Sequence, residues 1–405
     1  MRASSTVPLP RLLLAAGGIY TAQSLVGGLT FLGVPAVLRA ENVALERIGL
    51  VSLAMLIWAL KFLWAGPVER WRIGTGGRRR SRVLILAGEA VVVLALMAFG
   101  LVGGADFSIV LALLVLMALA SATVDIACDA FLIEQFPENR RGLANVAQVG
   151  GGYLGMIFGS GLFVAVYAAF GWLVASFVLA ALVLLFSVPM ATVREVTVPT
   201  APLSTAGLLN AVRRPEIRIG ILMAITFELG GRLAQALAGP FLVDAGLPLA
   251  TLGLLNGGGG VAAGLAGTAA GGALAHRFGA VRAMLSVAGL HVLSLVALAS
   301  AVLLASDHLY LFVSLFVIES AVMAAGFVTS YARLMSLASP KQPGVDFTLF
   351  QCASAIAAAI CGMSGAMLAA RAGYAPVFAL AASLAAIVPP LLIHFERLLR
   401  KEVLQ

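Results

Sequence analysis

The chain has 405 residues, of which 61% are hydrophobic and 11% charged, and its formal net charge is +8. A soluble domain has about a quarter of its residues charged, so this composition excludes a soluble globular protein and indicates a polytopic protein embedded in the lipid bilayer. The basic residues lie in short loops between apolar runs and do not cluster on one face, so nucleic acid is excluded as a partner.

Apolar runs of about 20 residues, the length that crosses a bilayer, recur along the whole chain. The first run is too long for the core of a signal peptide and is expected to remain as a first span. The sequence therefore predicts an all-α membrane protein with twelve transmembrane helices. The runs cover residues 12–38, 48–68, 83–104, 107–133, 143–168, 172–191, 217–240, 249–275, 282–305, 308–335, 346–371 and 374–394.

The distribution of Lys and Arg orients these spans. Connections on one side carry three basic residues, Arg39, Arg47 and Arg371, whereas connections on the other side carry twenty-one. The richly basic side of a membrane protein is the cytoplasmic one. An even number of spans returns the chain to the side on which it began, so both termini are predicted to be cytoplasmic.

The longest polar connection, residues 192–216, contains three prolines and no apolar periodicity. It predicts an N-terminal six-helix bundle over residues 1–191 and a C-terminal six-helix bundle over residues 217–405, joined by a cytoplasmic linker. Two six-span halves are typical of the major facilitator fold, in which the substrate site lies near the midplane between the halves.

An internal repeat supports this division. Gln148 follows Pro137 by eleven residues, and Gln351 follows Pro340 by the same interval, at an offset of 203 residues. We take Gln148 and Gln351 as candidate substrate-binding residues.

Four charged residues are predicted in the cytoplasmic half of the N-terminal bundle: Lys61, Glu89, Asp125 and Asp129. A charge inside a membrane needs a partner or a water-filled cavity. Asp125 and Asp129 share one helix face, and Lys61 is the candidate cation between them. The cluster either locks the cytoplasmic side shut or exchanges the proton that drives transport.

Three further charges fall near the middle of spans in the C-terminal bundle. Glu228 has a helical partner in Arg232, four residues later, whereas Glu319 has no partner in its own helix. Glu319 is therefore the best single candidate for a proton carrier, and a structurally hydrogen-bonded Glu319 is the alternative.

The first span carries Tyr20, Thr21 and Gln23 at mid-depth. These groups either orient a polar substrate or hydrogen-bond neighbouring helices. The four-residue spacing of Gly151, Gly155 and Gly159 predicts a face for close helix packing, and Gly257 to Gly260 with Gly264 repeats the pattern in span eight.

Several chemistries have no sequence signal. The glycine string at residues 150–155 has no preceding strand and is not a nucleotide site, and no Walker A motif is present. The histidines lack metal-ligand spacing, and the cysteines, Cys128, Cys352 and Cys361, lack CxxC spacing and are predicted to be core residues. We expect neither enzymatic activity nor a cofactor or bound metal.

The end of the second span carries a recognisable signature: Trp58, Lys61, Trp64 and Pro67 followed by Glu69-Arg70. It is similar to the second-span signature of the peptide and acetyl-coenzyme A transporter family within the major facilitators. Asp125 and Asp129, Arg140-Arg141-Gly142, and Gly344 to Phe347 also resemble elements of that family, so the likeness extends over both halves. The resemblance implies a cytoplasmic gate formed by Glu69, Arg70, Arg140 and Arg141.

Two branches of that family are compared with this chain. Muropeptide permeases are typically longer, with two extra spans, whereas the siderophore permeases of the rhizobactin and pyochelin type are single inner-membrane subunits. The length and the Pro35–Arg39 end of span one look more like the siderophore branch. The resemblance thus implies a monomeric bacterial inner-membrane transporter that imports a ferric siderophore by alternating access, driven by protons. Muropeptide uptake and efflux of a drug or metabolite are the alternatives.

Overall fold

The structure is a computed structural model. In the described part of the chain, the regular secondary structure is helical apart from one isolated bridge between Ile73 and Arg79. The predicted all-α architecture is confirmed. The structure describes residues 8–43, 45–51, 54–74, 79–104, 106–195, 207–248, 251–252, 255–304 and 308–403. Residues 196–206, which form much of the predicted linker, lie outside this part.

The helices of the first half of the chain are α1 (Leu9–Gly28), α2 (Val34–Ala40), α3 (Leu45–Val51), α4 (Met55–Leu60), α5 (Phe62–Arg72), α6 (Ser81–Val102), α7 (Phe107–Gln135), α8 (Arg141–Ile157), α9 (Phe163–Ala191) and α10 (Leu208–Arg213). Those of the second half are α11 (Pro215–Asp244), α12 (Gly260–Phe278), α13 (Ala280–Leu303), α14 (Leu309–Leu337), α15 (Pro343–Ala372) and α16 (Tyr374–Val403). One-turn π-helices join α1 to α2 and α8 to α9.

Eight helical stretches of the described chain are long and apolar enough to cross a membrane, or nine if the pair bent at Lys61 counts as one span. One of the eight, Glu138–Ala191, is 54 residues long and is broken at Gly171. Gly171 has φ +77°, a left-handed conformation that glycine adopts without the steric cost of a Cβ atom. The protein is a multi-pass membrane protein, and the count of twelve spans stays a prediction.

The chain divides into two compact units. The first comprises Met1–Ala211 with Ala338–Thr348, and the second comprises Val212–Leu337 with Leu349–Gln405. The first turns of α15 therefore belong to the first unit.

In the first unit, α1 packs along α8, and α6 packs against α7 and α9. The glycine face of α8 makes the first contact possible: a Cβ atom at Gly151 would lie 2.7 Å from Gly17 O, and one at Gly155 would collide with Thr21 O. The close-packing face predicted for this helix is confirmed. Because the two backbones touch, the polar side chains of α1 are brought beside those of α7 and α8.

In the second unit, α12 packs along α14, and α13 and α11 pack against α16. The close approach in α12 occurs at Gly267 and Gly271, which face Ala321 and Ala325 of α14. Gly264, of the predicted glycine face, is also buried in this helix, and its part in the packing stays a prediction. The close approach of α12 brings α14, which carries Glu319, tightly into the bundle.

Candidate functional site

Asp125 and Asp129 lie one turn apart on α7, and four polar side chains from three other segments meet around them. We call this group the acid–lysine cluster. Its members are Tyr20, Gln23, Lys61, Asp125, Asp129 and Gln148.

Lys61 forms an ion pair with Asp125 through Nζ and Oδ2. Lys61 lies at the break between α4 and α5, where the helix axis bends by 53°. The side chains are 4% and 14% exposed, so the pair is largely shielded from water. The predicted lysine–carboxylate pair is therefore present.

Asp129 is fully buried and receives two neutral donors. The Tyr20 hydroxyl donates to Asp129 Oδ1 at 2.5 Å, and Gln148 Nε2 donates to the same oxygen at 3.0 Å. The other oxygen, Oδ2, is buried and has no hydrogen-bond partner within the described part of the chain. One carboxylate of the pair is thus held by a lysine, and the other by a phenol and an amide.

Gln23 completes the cluster from α1. With its amide nitrogen turned toward α7, Gln23 donates to Asp125 Oδ1 at 3.0 Å. The predicted spatial separation of Tyr20 and Gln23, as substrate groups, from Asp125 and Asp129, as gating or proton-coupling groups, is wrong. Close packing of α1 on α8 places the two sets in direct contact.

The remaining predicted substrate residues lie elsewhere. Thr21 is buried and donates to Gly17 O of its own helix at 2.7 Å, facing the glycines of α8. Gln351 is half-buried on α15, in the second unit. Its substrate-binding role stays a prediction.

Glu89 is buried on α6, and neither of its carboxylate oxygens has a hydrogen-bond partner among the described residues. Glu89 is a predicted neighbour of Lys61, Asp125 and Asp129, but its carboxylate does not join their hydrogen-bond network in the described chain. One residue earlier on α6, Gly88 lies against Val124 of α7.

The second unit holds two smaller charged groups. Arg232 donates to Glu228 Oε2 through Nε at 3.0 Å, which confirms the predicted helical pair, and its guanidinium lies 4.9 Å from the ring centre of Phe327. Glu319 is buried, accepts a hydrogen bond from the Ser294 hydroxyl, and has Oε1 2.8 Å from His291 Nε2.

The structure therefore favours the alternative of a hydrogen-bonded Glu319, and the proton-carrier role stays a prediction. Glu319 has no partner on α14, but α13 supplies both Ser294 and His291. The two α13 residues are three positions apart and share one helix face.

A further buried charged group lies in the first unit, where α5 and α7 end and α6 begins. Arg72 donates to Glu69 Oε1 at 2.7 Å and to both carboxylate oxygens of Glu134 at 2.7 and 2.9 Å. Arg79 Nε lies 3.0 Å from Glu134 Oε1. Arg72 Nη1 also donates to the Ser81 hydroxyl at 3.1 Å. We call Glu69, Arg72, Arg79, Ser81 and Glu134 the helix-end network.

Glu69 also faces the first turn of α15. A Cβ atom at Gly344 would lie 2.5 Å from Glu69 Oε2. A carboxylate is stabilised at the N-terminus of a helix by the unpaired backbone N–H groups there. Glu69 thus has an arginine on one side and a helix N-terminus on the other.

The other predicted gate residues do not enter the helix-end network in the described chain. Arg70 and Arg140 are exposed, and Arg141 is half-buried with Nη2 3.5 Å from Ile133 O. The gate implied by the resemblance includes Arg70 but not Arg72 or Glu134, which form the buried ion pairs. Helical spacing contained the missed signal, because Arg72 is three residues from Glu69 and shares its face.

Metal ligation has no support in the described residues: no group of three or more His, Cys, Asp or Glu side chains there is arranged to hold an ion. The three cysteines are free thiols and are buried.

A family model described as Major Facilitator Superfamily matches residues 12–300. Among curated relatives, the anhydromuropeptide permease of Escherichia coli is 28% identical over 338 residues, which cover 79% of this chain and 66% of that protein. The chain therefore spans just under two thirds of the length of this relative. The siderophore branch is not supported by this relative and stays a prediction.

Two solved structures have closely similar folds. The bacterial homologue of the iron transporter ferroportin, in an outward-facing state, has a TM-score of 0.72 at 16% identity, covering 96% of this chain and 99% of that one. The fucose:proton symporter FucP of E. coli has a TM-score of 0.72 at 15% identity, with coverage of 96% and 98%. At such identities the likeness concerns the fold alone, and the predicted major facilitator fold is confirmed.

Proposed function

Because the chain belongs to the Major Facilitator Superfamily and is a secondary transporter, we propose that it takes up a small solute together with a proton. The acid–lysine cluster is the proposed coupling site. We further propose that it works as a monomer in the bacterial inner membrane, with both termini in the cytoplasm and alternating access to its substrate site.

One observation carries this proposal: a single lysine faces two carboxylates. Lys61 neutralises Asp125, so the cluster is neutral only when Asp129 carries a proton. A net charge within the membrane is costly, at roughly 2.5–3.5 kcal/mol per residue on insertion scales. Loss of the proton from Asp129 therefore favours a state in which the cluster meets water or a charged group of the substrate.

The neutral donors around Asp129 suit a proton site. The Tyr20 hydroxyl and the Gln148 amide both donate to Oδ1, while Oδ2 is left to carry the proton. Because Gln23 and Tyr20 also lie on α1, a solute that displaces either donor changes the hydrogen bonding of a carboxylate directly. Substrate binding and proton exchange would thereby act on the same atoms.

The helix-end network is the proposed gate. Glu69 holds Arg72 and also faces the N-terminal turn of α15. Opening of the gate would move that turn away from Glu69 while the Arg72–Glu134 pair keeps α5 attached to α7. The locking role assigned to Asp125 and Asp129 as an alternative thus passes to a separate set of residues.

For the substrate, we propose an anhydromuropeptide or a closely related cell-wall fragment. This rests on the similarity to the anhydromuropeptide permease of E. coli over 79% of the chain. A ferric siderophore is the second candidate, favoured by the second-span signature around Lys61 and by the end of span one at Pro35–Arg39.

Uptake assays in a strain lacking the protein distinguish these substrates. Cells with and without the restored protein receive radiolabelled anhydromuropeptide or a panel of radioiron siderophores, each with an intact or collapsed proton gradient. We expect protein-dependent anhydromuropeptide uptake that the collapsed gradient abolishes. Protein-dependent uptake of a siderophore alone transfers the proposal to the second candidate, and equal uptake of every compound without the protein rejects both.

Asp129→Asn tests the coupling site in the same assay, because it fixes the uncharged form. Gradient-driven accumulation should be lost, while exchange of labelled for unlabelled solute persists. Asp106→Asn is the matched control: Asp106 is exposed and caps α7, and asparagine caps a helix equally well. If Asp129→Asn still accumulates solute against its gradient, the coupling site is elsewhere.

A further inference from the structure

A basic cavity of about 640 Å³ lies in the first unit, apart from the acid–lysine cluster. It is formed where α5 ends and α6 begins, beside the chain that leaves α9. Four arginines line it, Arg79, Arg80, Arg82 and Arg194, and Glu195 is the single acid among the described lining residues. We call it the arginine pocket.

The acid does not neutralise the pocket. Glu195 accepts hydrogen bonds from the backbone N–H groups of Ser81 and Arg82, so it caps the N-terminus of α6. Two of the arginines already contact other protein groups: Arg79 lies against Glu134, and Arg82 donates to Val193 O at 3.0 Å.

Arg80 and Arg194 differ from these two. Both side chains are exposed at the pocket, and neither has a hydrogen bond or ion pair to any residue that the structure describes. A backbone hydrogen bond from Arg80 N to Arg72 O, 2.8 Å long, fixes the position of Arg80. The pocket thus offers two available guanidinium groups, whose fork geometry matches phosphate oxygens.

The rim of the pocket is apolar. Trp71 is 50% exposed and Val83 is 53% exposed, and both line it. Tryptophan is enriched where membrane meets water, because its ring is apolar and its N–H is polar. Apolar helices begin or end here, so the pocket lies at the level of lipid headgroups, with Trp71 and Val83 available to acyl chains.

We propose that the arginine pocket binds the phosphate group of an anionic phospholipid, with Arg80 and Arg194 as its principal ligands. A cavity of this size is typical of a small-molecule site. Basic pockets at helix ends are the usual sites of anionic headgroups. Occupation by lipid would join α5, α6 and the end of α9, beside the helix-end network.

Native mass spectrometry of the intact protein tests this without substrate or proton gradient, so the outcome is independent of the proposed transport function. The protein is released from micelles containing equal phosphatidylglycerol and phosphatidylcholine with the same acyl chains. We expect preferential retention of phosphatidylglycerol, lowered about five-fold by Arg80→Gln or Arg194→Gln and about 25-fold by both. Equal retention of the two lipids overturns the proposal.

Variants and competition complete the test. Arg400→Gln removes the same charge from an exposed helix position in the second unit and should leave retention unchanged; an equal loss there means that only net charge matters and rejects the site. Arg80→Lys should restore part of the retention, and thermal unfolding checks that each variant is folded. Displacement of phosphatidylglycerol by millimolar inorganic phosphate assigns the pocket to a soluble anion and overturns the proposal that it binds a phospholipid.

Discussion

Tyr20 donates its phenolic hydroxyl to Asp129 Oδ1 across 2.5 Å, although 109 residues separate the two in the chain. The bond links the first long helix to the helix that carries both carboxylates of the acid–lysine cluster. A hydrogen bond between neutral groups contributes about 0.5–1.5 kcal/mol and one to a charged group about 1.5–3 kcal/mol, so this bond strengthens when Asp129 loses its proton. The Tyr20–Asp129 bond is therefore expected to matter for both stability and transport.

Tyr20→Phe removes this donor and leaves the ring in place. We expect uptake to fall by about ten-fold or more, because Asp129 loses the shorter of its two hydrogen bonds. The measurement is the initial uptake rate at equal protein abundance. Tyr310→Phe, at a tyrosine that is 84% exposed, is the control and should transport normally.

A double-mutant cycle measures how much of the stability lost in Tyr20→Phe comes from the contact with Asp129. Tyr20→Phe should cost less in an Asp129→Asn background than in the native protein, because the carboxyl acceptor of the Tyr20 hydroxyl is already gone. Identical costs in the two backgrounds would mean that the two side chains are not energetically coupled.

Glu319 is the second position at which a proton could be exchanged. Its neighbours on α13 favour a structural role for this side chain. Ser294 of α13 already donates to Glu319 and His291 lies beside it, so Glu319→Gln retains a hydrogen-bonding side chain of the same shape. We expect this variant to keep at least half of the gradient-driven accumulation in proteoliposomes, whereas Asp129→Asn loses it. The reverse result would assign the coupled proton to the second unit.

Local spacing was enough to predict some of these contacts. The Glu228–Arg232 pair and the shared face of Asp125 and Asp129 follow from the helical repeat alone, and hydropathy identified the helices. The Tyr20–Asp129 and His291–Glu319 contacts join different helices, so they depend on how far each helix is shifted along its neighbour.

That shift is set by backbone contact at small residues, which a single sequence does not reveal. The glycines of α8 predicted a close-packed face but not that α1 would occupy it. Arg72 and Glu134 were missed for a related reason: their pairing requires the ends of α5 and α7 to meet.

The helix-end network predicts a sharp difference between Arg72 and Arg70, two arginines at the end of α5. Arg72→Ala leaves Glu69 and Glu134 buried without their shared cation, and breaking a buried pair in this way costs about 3–5 kcal/mol. Arg70→Ala, at an exposed side chain, should cost less than about 0.5 kcal/mol. Thermal or denaturant unfolding in detergent measures both, and equal costs would contradict the assignment of Arg72 as the paired residue.

The contact between α1 and the π-helical turn that follows α8 gives the last prediction. A Cβ atom at Gly159 would collide with Leu25 O and lie 2.6 Å from Leu29 N, both of which are backbone atoms that cannot rotate away. Gly159→Ala should therefore force the helices apart and destabilise the protein by about 1–3 kcal/mol. Because α1 carries Tyr20 and Gln23, uptake should fall along with stability.

Gly161→Ala is the matched control for this substitution, since Gly161 belongs to the same π-helical turn and has no atom within 4 Å of the added methyl group. It should unfold at the same temperature as the native protein and transport at the same rate. If Gly159→Ala and Gly161→Ala behave alike, helix propensity and not backbone contact determines the effect, and α1 is not held against the π-helical turn at Gly159.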